Sequence, residues 1–284
     1  MASFCFRTVC RRTIPAALLS AALLTARPGS DKKLGFEGNY NIPLWDAGKV
    51  LLAQGDGPLD NPFLTVFAPP EGKRNGGSVV IAPGGSNIML MYGAEGIEIA
   101  ERYNDWGVTA FVLTYRLAPR YNEAARVADG KRAIQLVRSR AGEFKLDPKR
   151  VGFIGFSAGS NLARSVAAAS GPGDSNAADP IDRLSSRPDY LGMVYGPGRA
   201  TPGESLKDFP PTFLLAAAGD KGAAQGSIQF AGELLRAGAV VEIHIYQRGR
   251  HGFGGGFASG TFSDWMPRLE HFLKQGDYIP GGRH

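Results

Sequence analysis

Val151-Gly152-Phe153-Ile154-Gly155-Phe156-Ser157-Ala158-Gly159 is the stretch on which the reading of the fold turns. An apolar run, Val151 to Ile154, leads into Gly155-Phe156-Ser157-Ala158-Gly159, and an alanine-rich segment, Ala158 to Ala169, follows. The order is a buried strand, a sharp turn carrying a serine, then a helix. A G-x-S-x-G turn in this setting throws its serine out at the top edge of a sheet, on strained backbone. Small residues on either side, Gly155 and Gly159, let strand and helix approach closely enough for that turn. The bare pattern also arises by chance in loops rich in Gly and Ser. The flanking strand and helix make Ser157 a candidate nucleophile.

Outward from the elbow, apolar segments alternate with helical ones. Strands are predicted at Phe63 to Ala68, Ser78 to Ala82, Val108 to Leu113, Tyr190 to Tyr195, Thr212 to Ala218 and Val240 to Tyr246. Helices are predicted over Ala94 to Asp105 and Glu123 to Ala141, the latter with Val127, Ile134, Val137 and Ala141 on one face. A third helix is expected to bury Ile228, Ala231 and Leu235 and to end at Gly238. A closing amphipathic helix carries Phe262, Trp265, Met266, Leu269, Phe272 and Leu273, with Ser263 as its N-cap. Such alternation implies an α/β fold, a mostly parallel sheet with helices on both faces. Nothing after residue 60 reads as a linker, so residues 61–284 form one catalytic domain preceded by a loose lead-in, 27–60.

Composition narrows the function classes. The chain has 284 residues, 43% of them apolar, enough to bury a sizeable core. No apolar run reaches the roughly 18 residues that span a bilayer. Residues 1–26 differ in kind: Arg7, Arg11 and Arg12 precede an uncharged, alanine- and leucine-rich stretch ending in small residues, the pattern of an export signal. Its removal subtracts those three arginines and leaves +3 of the formal +6 charge. That balance, with no Lys/Arg cluster interleaved with aromatics, gives no case for nucleic acid. Both cysteines, Cys5 and Cys10, lie in the signal-like segment, so the remainder has no thiol chemistry.

A serine nucleophile needs a base. Of four histidines, His284 is the last residue, His271 falls on the closing helix, and His244 lies within a strand. His251 sits in Gly249-Arg250-His251-Gly252-Phe253-Gly254, a glycine-rich loop after the last strand, where ligands bind in such sheets. The acid that orients it is assigned to Asp220, at the carboxyl edge of the strand Thr212 to Ala218; a plain turn or helix N-cap is the bland alternative. Asp189 and Asp208 precede their strands and face the wrong edge. Backbone donors for an oxyanion are expected from Ala158 and from the loop Pro83-Gly84-Gly85-Ser86, through either Gly85 or Ser86.

Taken together, APGGS, Tyr115-Arg116-Leu117-Ala118-Pro119, GFSAG, AAGD and RHGFG resemble the α/β-hydrolase esterases, most of all the acetyl esterase and xylan-esterase-like branch. That branch is similar to the hormone-sensitive-lipase and feruloyl-esterase relatives. The likeness covers roughly residues 60 to 275. It implies an α/β-hydrolase fold with little or no cap, hydrolysing carboxylic esters without metal or cofactor. It also implies that Tyr115 and Arg116 anchor the loop beneath the site. Lipase relatives carry His-Gly-Gly-Gly where Pro83 and Ser86 here flank two glycines.

Met89, Leu90, Met91 and Tyr92 follow the oxyanion loop and either line a substrate pocket or pack in the core. Only short stretches, the lead-in and the loop Gly196 to Phe209, are available for a cap, so an open cleft is expected. An open cleft with an export signal fits short acyl or hydroxycinnamoyl esters, including those of plant polysaccharide. Two competing readings are a peptidase or amidase on the same residues, and a non-catalytic binding protein of the same fold. The oligomeric state is not encoded in any pattern of the chain.

Overall fold

The computed structural model describes residues 40–196, 204–256 and 265–281. Residues 1–26, Phe262, Ser263 and His284, with much of the loop after Gly196, lie outside them. Among the described residues one sheet contains β1 (Tyr40–Pro43), β2 (Phe63–Phe67), β3 (Ser78–Ala82), β4 (Thr109–Thr114), β5 (Val151–Phe156), β6 (Tyr190–Val194), β7 (Thr212–Ala217) and β8 (Val241–Tyr246). Their order is β1-β2-β4-β3-β5-β6-β7-β8. The β1–β2 and β2–β4 pairings are antiparallel, and every pairing from β4 to β8 is parallel.

The helices are α1 (Glu98–Asp105), α2 (Glu123–Ser139), α3 (Ala141–Phe144), α4 (Ala158–Ala168), α5 (Lys221–Arg236) and α6 (Trp265–Gln275). They cover both faces because alternate residues of a strand point to opposite sides. On β3, Val80 and Ala82 join a core that includes Ile134 of α2, Leu162 and Val166 of α4, and Phe230 and Leu234 of α5. Val79 and Ile81 join the other, with Ile99 and Tyr103 of α1 and Trp265 and Leu269 of α6. All six residues of β5 are buried, as a strand covered on both faces requires. The elbow strand is thus central, and its carboxyl end opens between helices.

Three expectations are corrected. First, the described part of the lead-in, residues 40–60, is not loose. β1 adds an antiparallel strand to β2, matching Ile42 with Leu64. Asp60, buried, accepts from the Gly57 amide at 3.0 Å, from Arg120 Nε at 2.6 Å and from the Tyr121 hydroxyl. Second, Ile228 and Leu235 are exposed, while Phe230, Ala231 and Leu234 face the sheet. Apolar residues on adjacent stripes of α5 leave its phase open, and the bulk of Phe230 settles it against Phe209. Third, the helix predicted from Ala94 opens as a wide turn, Gly93–Ile97, with the Ile97 amide bonded five residues back to the Tyr92 carbonyl at 2.8 Å.

Arg116 ties the lead-in to the domain. It donates to Asp129 through Nε at 3.0 Å and Nη2 at 2.6 Å, and to the Leu51 carbonyl at 2.7 Å. Both partners of the ion pair are almost wholly buried. Burial pushes the Asp129 carboxyl up to about 6, with Arg116 the main opposing influence. Arg116→Met removes that counter-charge from a buried acid and is expected to cost about 3–5 kcal/mol in urea unfolding. A loss under about 1 kcal/mol would show that the pair carries little of the lead-in's order.

Candidate active site

At the carboxyl end of β5 the backbone of Ser157 has φ 51° and ψ −116°, a conformation that L-residues rarely adopt. The strain is tolerated because nothing branches beside it. A Cβ on Gly155 would fall on the Gly159 carbonyl, and one on Gly159 on the Ala82 carbonyl, both far inside van der Waals contact. The Ser157 amide donates to the Val194 carbonyl at 2.9 Å, which holds the turn against β6.

Ser157 Oγ stands 2.7 Å from His251 Nε2, and His251 Nδ1 stands 2.5 Å from Asp220 Oδ2. Distant segments therefore meet in one hydrogen-bonded row at the same sheet edge. Because a carboxylate only accepts, Nδ1 carries the proton and Nε2 accepts from the serine hydroxyl. Asp220 also fulfils its bland alternative: it N-caps α5, with Oδ1 accepting from the Ala223 amide at 3.3 Å. The cap fixes one oxygen and leaves the other for the imidazole. Gly219 passes so close to Gly249 that a Cβ would strike the latter's carbonyl, so the absence of a side chain at 219 lets the two loops approach. The His251 side chain is 51% exposed, so the row opens to solvent.

His244 lies within β8, bound to Glu242 at 2.7 Å, and His271 pairs with Gln275 on the exposed side of α6. Asp189 binds Arg138 at 2.8 Å and receives the Val151 amide at the opposite end of β5.

Ala158 opens α4 directly after the nucleophile candidate, so its amide is one of the helix donors without an intrahelical acceptor. Gly85 has φ 130° and Ser86 φ 57°, and the Gly85 carbonyl accepts from the Ile88 and Met89 amides at 3.1 Å. The Gly84 amide is already spent, on Glu95 Oε2 at 2.7 Å. Tyr115 donates its hydroxyl to the Pro83 carbonyl at 2.7 Å, and the Ala118 amide bonds the Asn87 carbonyl at 2.7 Å. These bonds brace the loop from beneath.

Met89 is exposed and crosses over Gly85, beside exposed Ile88 and Met91. Tyr92 is different: its hydroxyl is taken by Thr65 of β2 and its ring packs on the core. Its role here is to seat the wide turn. The residues missed in the sequence are Glu95 and Tyr195. The available signal was a lone acid at position 95 in phase with Ile99 and Tyr103, on the face that α1 buries. No group of three or more His, Cys, Asp and Glu side chains is arranged to hold a metal ion among the described residues. No described helix is long and apolar enough to cross a membrane.

Comparison with known proteins agrees with this architecture. Residues 64–182 match the BD-FAE family model, a span that includes Gly85, Ser86 and Ser157. The chain is 27% identical over 220 residues to an acetylxylan esterase of Xylanibacter ruminicola, covering 70% of this chain and 46% of that protein. It is 25% identical over 224 residues to endo-1,4-beta-xylanase B of Butyrivibrio fibrisolvens, covering 65% of this chain and 35% of that one. The chain thus spans less than half the length of these curated relatives. Among solved structures, an acetyl ester-xyloside bifunctional hydrolase from Caldicellulosiruptor lactoaceticus superposes with a TM-score of 0.77 at 29% identity. It covers 84% of this chain and 97% of its own. A thermophilic esterase from Thermogutta terrifontis shares the fold, with a TM-score of 0.67 at 20% identity over 78% of this chain and 92% of its own. The chain therefore matches the BD-FAE family model over residues 64–182, is similar to an acetylxylan esterase, and has the α/β-hydrolase fold of the esterases it resembles.

Proposed function

We propose that the protein is a serine carboxylic-ester hydrolase that works through Ser157, His251 and Asp220. The observation that carries the reading is the row Ser157 Oγ to His251 Nε2 at 2.7 Å and His251 Nδ1 to Asp220 at 2.5 Å. His251 takes the hydroxyl proton as Oγ bonds to the ester carbonyl carbon. The negative charge that develops on the carbonyl oxygen is received by the Ala158 amide and by an amide of Gly85 or Ser86. Collapse breaks the bond to the leaving oxygen, which takes the proton from His251 and departs as the alcohol. Water enters, gives a proton to His251, and its oxygen bonds to the acyl carbon. Ser157 leaves with that proton, and the carboxylic acid is released. Asp220 holds the imidazole in the required tautomer and offsets its charge while it is protonated.

The substrates are short acyl or hydroxycinnamoyl esters, with plant polysaccharide as the carrier. Supporting this are the solvent-open His251, the relatives named for acetyl ester and acetylxylan chemistry, and the apolar lip of Ile88, Met89 and Met91 beside the oxyanion loop. A p-nitrophenyl ester series tests it: kcat/KM is expected to be highest for acetate or propionate and at least tenfold lower for octanoate. A preference for long acyl chains would overturn the short-acyl reading. Acetylated xylan and methyl ferulate, assayed side by side, then separate the two acyl classes. Export is proposed from residues 1–26, and cell fractionation of the full chain against one lacking them tests it. Retention of both in the cytoplasm overturns that part.

A further inference from the structure

Glu95 is a carboxylate with a relative exposure of only 3%, and the hydrolytic steps above do not use it. Each of its two oxygens accepts one hydrogen bond. Oε2 accepts from the Gly84 amide at 2.7 Å, and Oε1 accepts from the Tyr195 hydroxyl at 2.7 Å. That hydroxyl in turn accepts from the Gly254 amide at 2.9 Å. One acid thereby connects the loop after β3, the end of β6 and the loop that bears His251.

The pieces are packed as well as bonded. A Cβ on Gly84 would lie 2.7 Å from Glu95 Oε2 and 2.8 Å from Ser157 Cβ, so Gly84 is wedged between acid and nucleophile. The Tyr195 ring meets the His251 ring edge-on at 5.0 Å and that of Phe253 at 4.6 Å. Gly254 backs onto the Ala94 carbonyl of the wide turn that carries Glu95. Burial and the neighbouring Glu95 charge raise the Tyr195 hydroxyl well above its ordinary range, which keeps it a donor.

We infer that Glu95 and Tyr195 are positioning residues: the Gly84–Glu95–Tyr195–Gly254 chain of hydrogen bonds sets the oxyanion loop and the His251 loop in register across Ser157. The inference rests on the hydrolase reading of Ser157. Its physical basis is the steep dependence of rate on geometry, a misplacement of about 1 Å costing on the order of 10²-fold. It also narrows the donor assignment. Glu95 occupies the Gly84 amide, so the oxyanion falls to Gly85 or Ser86 together with Ala158.

Tyr195→Phe removes the link but keeps the ring against His251, and Glu95→Gln keeps the shape of the acid while spoiling its acceptor role toward one donor. With p-nitrophenyl acetate each is expected to lower kcat by about 10- to 100-fold with KM changed less than threefold, because the bonds act on the reacting geometry and not on substrate contact. Hydrogen exchange followed by mass spectrometry is expected to rise together in the peptides containing residues 83–91 and 247–256. Variants that lose thermal stability but keep kcat would show a merely structural role and overturn the inference. So would unchanged exchange in either peptide. If Glu95→Gln does not fold, Tyr195→Phe decides alone. If the native chain and Ser157→Ala are equally inactive, the hydrolase reading fails, and the exchange measurement still reports whether the link holds the two loops.

Discussion

Replacement of Ser157 by alanine is expected to lower kcat/KM for p-nitrophenyl acetate by about 10⁴- to 10⁶-fold. In the proposed mechanism the size follows from how the three side chains cooperate. Without Oγ there is no acyl-enzyme, and the proton that His251 would accept is absent from the 2.7 Å hydrogen bond. The same cooperation makes the losses non-additive: Ser157→Ala with His251→Ala is expected to be no worse than Ser157→Ala alone. Thermal unfolding of Ser157→Ala is expected to match the native protein, because the side chain is not part of either core. The amides of Ala158 and the Gly85–Ser86 loop remain, so some turnover above the background reaction is expected to persist. A variant that keeps a tenth of native activity would remove Ser157 from the nucleophile's place. It would point to a different hydrolytic centre in the same fold.

The second large effect concerns backbone. Gly159→Ala is expected to destabilise the protein by about 3 kcal/mol, which for a chain of this size lowers Tm by roughly 6 to 12 °C. The added methyl would lie inside contact distance of the Ala82 carbonyl and within 2.7 Å of the Pro83 carbonyl. Neither obstacle is a flexible side-chain end, so α4 must lift from β3, carrying Ala158 away from the oxyanion loop. Activity is therefore expected to fall with stability. Gly222→Ala in α5 is the matched control. A Cβ there meets nothing within 4 Å, and alanine is the better helix former by about 0.5–1 kcal/mol. Calorimetry on the two variants should move Tm in opposite directions. A native-like Gly159→Ala would mean that strand and helix are not seated as closely as described.

Much of this protein was legible locally. The apolar run before Ser157 and the alanines after it specify strand, turn and helix, because the run is short, β-branched and aromatic and is followed by glycine, while alanine favours helix. The same local logic put His251 and Asp220 in loops after strands, and in a parallel sheet such loops gather at one edge. Elsewhere local pattern was insufficient. Tyr40 to Pro43 is too short and polar to announce a strand, yet it pairs with β2 once that edge exists. On α5, Ile228 and Leu235 are as apolar as Phe230 and Leu234, and only the sheet beneath chose between them.

Glu95 is the sharpest case. Its neighbours in sequence explain its helix, but its partners come from Gly84 and from Tyr195, a residue more than ninety positions away that also receives the Gly254 amide. The sequence by itself determined which segments are strands and helices, and which chemically capable residues end up on the carboxyl edge. Tertiary structure alone decided which faces are buried and which buried acid finds donors. A hydrophobic period has no memory of what it will be packed against, and a hydrogen bond exists only where two remote backbones have already been brought together.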